Sequence, residues 1–513
     1  MARRTSRLTL LVAGMASLIA PPLASAADTA VADRVQALVP AIEAYAEAGM
    51  ALFDLPGLAI GIVADDTLVY AKGFGKRSKS AEGLVDTRTI FQIGSLAKAF
   101  LAATQAIMVD RGALRWDDRV VDLYPSFQMK DPWVTREFRV FDLLAQRSGM
   151  PPLANDLVIM LGFDADRAIA SLKDVEPVTS FRSSFAYTNI THLLASCIVA
   201  EAAGAATWNE VLQRELLDPL GMGETTYSPE SIAAAPNHAV GHRWSPDGTV
   251  EVSAFSQAFP YRLEGAGNIN SNIEDMARWV RMQLGTGTFE GKVIVPAEGL
   301  TRMRRPMVAV ADNITYATGW MTLDTPEGHI VWHEGDALSF GSFIGMVPDQ
   351  NFGVVVLSNE TNVSFPPSFG FWVLRQILGS PEIDLVANGH ADAVANFEAA
   401  RKALERPASA QPAPPPDSLV GDFVHPSMGR ATVRQTGGGL SMMFQATGAE
   451  LSLEPVDGAT FRYALVPAGE FGPLAELDYM TRGLAAFYPG EGPGFDRLRL
   501  STQDHQAFEF RRE

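Results

Sequence analysis

The sequence predicts an α/β domain built on one antiparallel sheet, followed by a separate all-β domain. Two observations carry the first domain. Strand-like alternation of apolar residues lies near 58–71 and returns near 316–358, while the chain between is largely helical in its periodicity. One sheet assembled from both ends, flanked by helices and interrupted by a mainly helical insertion, accounts for that order. The third observation is a change of style after a Pro/Ala-rich stretch, where short alternating segments separated by glycine-bearing loops fill residues 417–513.

In chain order, Arg3, Arg4 and Arg7 precede the apolar run Leu8 to Ala20, and Ala24-Ser25-Ala26 supplies small residues for cleavage. This reads as a signal peptide over 1–26, and the mature protein is expected to be exported, periplasmic or secreted. The run is too short for a stable spanning helix, and a retained anchor is the alternative. Arg3-Arg4 leaves twin-arginine export open beside the general route. No cysteine follows the cleavage site, so lipidation there is excluded. Cys197 is the only cysteine and sits in an apolar helical run, where a buried small hydrophobe is expected. A formal charge of −18 argues against nucleic acid and anionic membrane surfaces as main partners. No other long apolar run suggests stable membrane insertion.

Helical spacing runs from Val31 to Met50. Leu58 to Val63, an Asp65-Asp66 turn and Thr67 to Ala71 predict a hairpin. A strand-like Thr89 to Gly94 leads into a helix from Ser95 to about Asp110, closed by Arg111-Gly112. Further helices are expected at Val140 to Gln146, Thr191 to Ala203, Trp208 to Leu217 and Ile273 to Leu284. Strands follow at Ile330 to Gly335, Ser342 to Pro348 and Phe352 to Ser358, then an apolar helix from Phe369 to Leu378 that could cover them. The first domain thus spans 27–400, with a linker at 401–416 whose Pro407 to Pro416 segment is semi-rigid. The all-β domain, a sandwich or a small barrel, shows no ligand or metal signature, and a packing or oligomerisation role is expected of it.

The chemistry begins at Ser95-Leu96-Ala97-Lys98. Residues three apart on a helix share a face, so Lys98 can reach the Ser95 hydroxyl. A serine alcohol becomes a nucleophile when a neighbouring base takes its proton, and a lysine serves only if its surroundings keep it neutral. A chain of this length carries about two S-x-x-K strings by chance, so the motif alone decides little. Tyr187-Thr188-Asn189 lies in a loop before a helix, where a phenol can relay a proton and an amide can bind a carbonyl. His333-Glu334-Gly335 ends a strand; alternation sends His333 and Glu334 to opposite faces, and Gly335 permits close backbone approach. The loop Gly265-Ala266-Gly267-Asn268 could pass near a ligand.

The order S-x-x-K, Y-x-N, H-x-G resembles the β-lactamase and penicillin-binding-protein superfamily of serine hydrolases. It is most similar to the class C-like branch with its D-stereospecific peptidases and esterases. Leu55-Pro56-Gly57-Leu58, Leu143-Leu144-Ala145-Gln146-Arg147-Ser148-Gly149 and Gly353-Val354-Val355-Val356-Leu357-Ser358-Asn359 look like that branch. Leu419-Val420-Gly421-Asp422-Phe423 and Gly429 are similar to a lipocalin-like β-domain found behind some members, and that resemblance implies a barrel for 417–513. The resemblance implies a β-lactamase-like fold, Ser95 as the acylated nucleophile, and Lys98 and Tyr187 sharing base and acid duty. It implies Asn189, His333 and Gly335 as substrate-binding residues, and an oxyanion hole from the backbone N–H groups of Ser95 and Asp336. It implies no cofactor and no metal. Expected substrates are small peptides, some with D-residues, amides or esters; homo-oligomers are possible. His333 stands where many relatives carry lysine, Glu334 where a small or hydroxyl residue is frequent, Gln146 where histidine is common, and Glu264 where proline often stands. The lost cation at His333, and the charge of Glu334 if it faces the cleft, weigh against carboxylate-bearing β-lactams, and together the departures imply altered specificity with activity kept. A true class C-like β-lactamase and a non-catalytic penicillin-recognising protein are the alternatives.

Overall fold

The computed structural model describes residues 30–252, 254–477, 481–490, 494–503 and 506–513. The expected signal peptide over 1–26 lies outside the described residues. Helix α1, Val31–Phe53, buries Val35, Ile42, Ala46 and Phe53 along one stripe and ends at Asp54 in a left-handed conformation. The chain then enters β1, Gly57–Ala64, whose every residue is buried, and returns as β2, Thr67–Gly75. Asp65 and Asp66 both hold positive φ, the turn geometry that matches the twist of a two-residue hairpin.

The remaining strands of the large sheet come from the far end of the domain. They are β3 (Val308–Ala311), β4 (Ile314–Tyr316), β5 (Met321–Thr325), β6 (Gly328–Asp336), β7 (Gly341–Val347) and β8 (Phe352–Ser358). The spatial order is β2-β1-β8-β7-β6-β5-β4-β3, so the two ends of the domain meet where β1 pairs with β8, Ile60 opposite Val356. The sheet from both ends is therefore present as the sequence predicts. β1, β7 and β8 are buried on both faces, which explains their nearly unbroken apolar runs.

One face, with Ile60, Trp332, Phe343 and Val356, packs on α1 and on α5 (Phe365–Leu378) and α6 (Leu385–Ala403). The other, with Val63, Val331, Ile344 and Val355, packs on α2 (Ala97–Asp110), α3 (Ile190–Ala202) and α4 (Ile273–Leu284). The Asn272 side chain caps α4 by accepting from Asp275 N.

Local structure differs from expectation around the motif. The stretch from Thr89 forms only a two-residue strand, Phe91–Gln92, paired with Asn270–Ser271. Ser95 itself lies in a 3₁₀ turn, Gly94–Leu96, and α2 starts at Ala97. The reason is tertiary. Gly94 has φ 51°, and a Cβ there would sit 2.7 to 2.8 Å from the Asp336 backbone. The chain turns sharply to lay Ser95 against the end of β6.

The C-terminal strands close into a barrel of eight, Gly421–His425 pairing with Ala507–Arg512 to remove the last edge. Phe423, Phe461 and Phe487 fill it edge-to-face at 5.6 to 5.9 Å. The expected linker does not hang free: α6 extends to Ala403, and Gln411 N donates to Asp457 of the barrel at 2.8 Å. Among the described residues no helix is long and apolar enough to cross a membrane.

Candidate active site

Four segments converge on Ser95. The 3₁₀ turn carries its hydroxyl, and the first turn of α2 carries Lys98, whose side chain is fully buried. Lys98 Nζ donates to Ser95 Oγ at 3.0 Å, to Asn189 Oδ1 at 2.8 Å and to the Ala266 carbonyl at 2.8 Å. The glycine-bearing loop singled out in the sequence thus reaches the site through a backbone oxygen. Burial draws the amine down to about 7, and the Asp156 carboxylate works against that fall. An amine with that poise exists as both neutral and charged forms near neutrality, so at 3.0 Å it can take a hydroxyl proton.

Tyr187 precedes α3 and lies with its ring face toward Lys98, 4.7 Å from Nζ to centroid. Burial pushes its phenol well above the ordinary range, Tyr316 adds to the rise, and the Ser95 hydroxyl draws it back. The phenol is therefore a proton donor at neutral pH. His333, on β6, has its ring centroid 6.2 Å from that of Tyr187. Its Nδ1 is 2.6 Å from the Glu334 carbonyl, and Nε2 is 3.3 Å from the Tyr316 hydroxyl. Burial, then the nearby Lys98, depress His333 to about 3, so the imidazole is neutral.

Alternation separates the next two residues. His333 is opposite Ile344, on the sheet face that carries α2 and α3, whereas Glu334 is opposite Phe343, on the other face. Burial and Asp336 raise the Glu334 carboxyl to about 7, and Asn362 Nδ2 approaches its Oε2 at 3.4 Å. Gly335 runs so close to the turn that carries Ser95 that a Cβ would collide with the Ile93 carbonyl and the Ser342 hydroxyl. Asp336 N lies beside Gly94 in the same approach. Two backbone segments are thereby held together at Ser95, the arrangement an oxyanion hole requires. Every site residue expected from the sequence, Ser95, Lys98, Tyr187, Asn189, His333, Gly335 and Asp336, belongs to this one constellation.

Behind it lie Asp156, which sequence reasoning missed, and Gln146, which it noted only as a departure. Asp156 Oδ2 accepts from Asn189 Nδ2 at 2.6 Å, which fixes the amide so that Oδ1 faces Lys98. No motif in the sequence marks Asp156. Gln146, with φ 53°, accepts from Thr188 N at 2.7 Å and donates to the Thr188 carbonyl at 3.1 Å. It clamps the residue between Tyr187 and Asn189. Glu264 is half-buried and its carboxyl is raised by desolvation. Among the described residues no cluster of His, Cys, Asp or Glu could hold a metal ion.

The profile of the Beta-lactamase family matches residues 42–374, a range that holds every strand of the large sheet. The chain belongs to the beta-lactamase family. The unguisins hydrolase ungD' of Aspergillus campestris is 25% identical over 417 residues, covering 74% of each chain. Penicillin-binding protein 4 of Amycolatopsis lactamdurans is 26% identical over 336 residues, 63% of this chain and 85% of that one. An octameric penicillin-binding protein homologue from Pyrococcus abyssi superposes with a TM-score of 0.60 at 22% identity. That match covers 92% of this chain and 99% of the other. The fold is thus shared through the C-terminal barrel as well as the beta-lactamase domain.

If Lys98 takes the Ser95 proton it must be neutral to do so, and ester hydrolysis is then expected to rise with pH through about 7 and level off above it. Glu334 titrates in the same window from the opposite face of the sheet. A pH–rate profile of Glu334→Gln should therefore keep the limb; its disappearance would assign the limb to the carboxyl.

Proposed function

We propose that this chain is an exported serine hydrolase that works through an acyl-enzyme on Ser95. The observation that carries the reading is the buried Lys98 amine, poised near neutrality and 3.0 Å from the Ser95 hydroxyl. Ser95 Oγ attacks the acyl carbon while Lys98, with Tyr187 beside it, takes the hydroxyl proton. The carbonyl oxygen gathers charge against the N–H groups of Ser95 and Asp336. The carbon to leaving-group bond then breaks, and Tyr187 delivers a proton to the departing nitrogen or oxygen. In the second half-reaction water attacks the acyl carbon and gives a proton to the same pair; the carbon–Oγ bond then breaks, the pair returns a proton to Ser95 Oγ, and the acid is released.

The substrates proposed are small peptides, among them peptides with D-residues, and simple amides or esters. A neutral His333 offers no fixed cation to a substrate carboxylate, which weighs against efficient β-lactam hydrolysis. Relatives named as hydrolases support turnover over a purely binding role.

Intact-protein mass after incubation with a panel of D-peptides, esters and β-lactams tests the reading. The expected result is an added acyl mass that maps to Ser95 and is absent from Ser95→Ala. Ester hydrolysis retained by Ser95→Ala would sink the assignment. Failure to react with a serine-directed fluorophosphonate would favour the binding protein instead.

A further inference from the structure

The reaction proposed above leaves the barrel without a task, yet the barrel sits directly behind the site. Its contacts with the hydrolase domain gather on residues 152–174. Phe444 meets Phe163 edge-to-face at 6.4 Å, Phe471 lies against Gly162, and Ser427 binds Asp174 and Arg167. Apolar residues of the barrel and of the helical layer form one continuous cluster.

The innermost contact is a glutamine at the start of the last barrel strand. Gln506 is 6% exposed and uses both ends of its amide on the backbone of one short segment. Its Oε1 accepts from Asn155 N at 2.9 Å, and its Nε2 donates to the carbonyls of Leu153 at 2.6 Å and Pro152 at 3.2 Å. That segment needs holding. Leu153 and Asn155 have φ of 55° and 62°, a region that side chains other than glycine rarely adopt and that persists only where the surroundings over-determine it. On its other side the segment is tied to the site, because Leu153 N donates to the Tyr187 carbonyl at 2.6 Å. Asp156, the residue after Asn155, accepts from Asn189, and Asn189 accepts from Lys98.

We infer that the C-terminal barrel is part of the frame of the active site, and that Gln506 is a positioning residue: it holds residues 152–155 so that Asp156 keeps Asn189 and Lys98 aligned on Ser95. The inference rests on the acyl-transfer reading. Nothing in Gln506 touches the reacting atoms, so its effect passes through Asp156.

The test uses the full-length protein with p-nitrophenyl butyrate as the acyl donor. Gln506→Met keeps the side chain's length and removes its hydrogen bonds; Gln506→Ala is the second variant should the first fail to fold. The expected result is a kcat lowered about tenfold or more, a KM within about twofold, and an acidic limb displaced to lower pH as Asp156 loosens from Lys98. Glu470→Ala, which removes the ion pair to Arg262 elsewhere in the same interface, should leave kcat and the limb unchanged. In an Asp156→Ala background, Gln506→Met should add little further loss. A lower melting temperature with kcat and limb unchanged would overturn the inference, as would full additivity with Asp156→Ala. Ser95→Ala run alongside separates the two readings. If Ser95→Ala is inactive and Gln506→Met is normal, the frame fails alone; if Ser95→Ala is active, the acyl-transfer reading itself fails.

Discussion

Replacing Lys98 by methionine is expected to lower the rate of Ser95 acylation by about 10³-fold or more, the upper part of the range for a positioned proton acceptor. The substitution keeps an unbranched side chain in a fully buried site and removes the amine. It also strands two acceptors, Asn189 Oδ1 and the Ala266 carbonyl, which now take hydrogen bonds from Nζ. Each buried acceptor left without a donor costs about 1 to 3 kcal/mol. Removing a buried group that otherwise needs desolvation offsets part of that, so the folded protein should persist at reduced stability. Quenched-flow mass spectrometry with an activated ester separates the effects, since it reads adduct formation on the folded fraction alone. Adduct formation at the wild-type rate would show that Lys98 is not the base, and would pass that duty to Tyr187.

The second large effect is expected from Gly335→Ala. The new methyl group would enter a space occupied by the Ile93 carbonyl and the Ser342 hydroxyl, between β6 and the turn that carries Ser95. Backbone atoms cannot give way as a flexible side chain can. The strand and the turn must separate, and with them the N–H groups of Asp336 and Ser95. Loss of one oxyanion donor typically costs about 10²- to 10³-fold in kcat, and overpacking of this kind about 1 to 3 kcal/mol of stability. Gly328→Ala, at the other end of the same strand, is the matched control: its methyl would meet only Val347 Cγ1, at an ordinary 3.4 Å. Steady-state rates and thermal melts of the two variants should diverge sharply. Equal behaviour would mean that the close approach at Gly335 has no part in holding the site.

Much of this was readable from sequence because the signals are local. β1 and β8 are short apolar runs bounded by turn residues, and α4 begins at an asparagine cap and follows a clear helical period. Ser95 and Lys98 lie three residues apart, and the glycine after Glu334 announces a close backbone approach. The misreadings are also physical. The sequence predicts the helix from Ser95, but α2 begins two residues later, because Gly94 takes a left-handed conformation set by a strand more than two hundred residues away. For residues 417–513 alternation alone leaves a sandwich and a barrel open; the resemblance to a lipocalin-like domain points to the barrel, and the Gly421–His425 to Ala507–Arg512 pairing closes it.

The sequence by itself determined the sheet-forming segments, the residue types able to carry acyl transfer, and their order along the chain. These depend on side-chain period and functional groups, which are properties of each short stretch. Tertiary structure alone decided that Lys98 is buried enough to lie near neutrality, that Asp156 and Gln146 brace the Tyr187 to Asn189 turn, and that Gln506 of the barrel grips the segment behind them. Desolvation and long-range hydrogen bonds depend on what surrounds a group in space. Asn155 and Gln506 stand 351 residues apart, and no local pattern in either stretch marks the other as its partner.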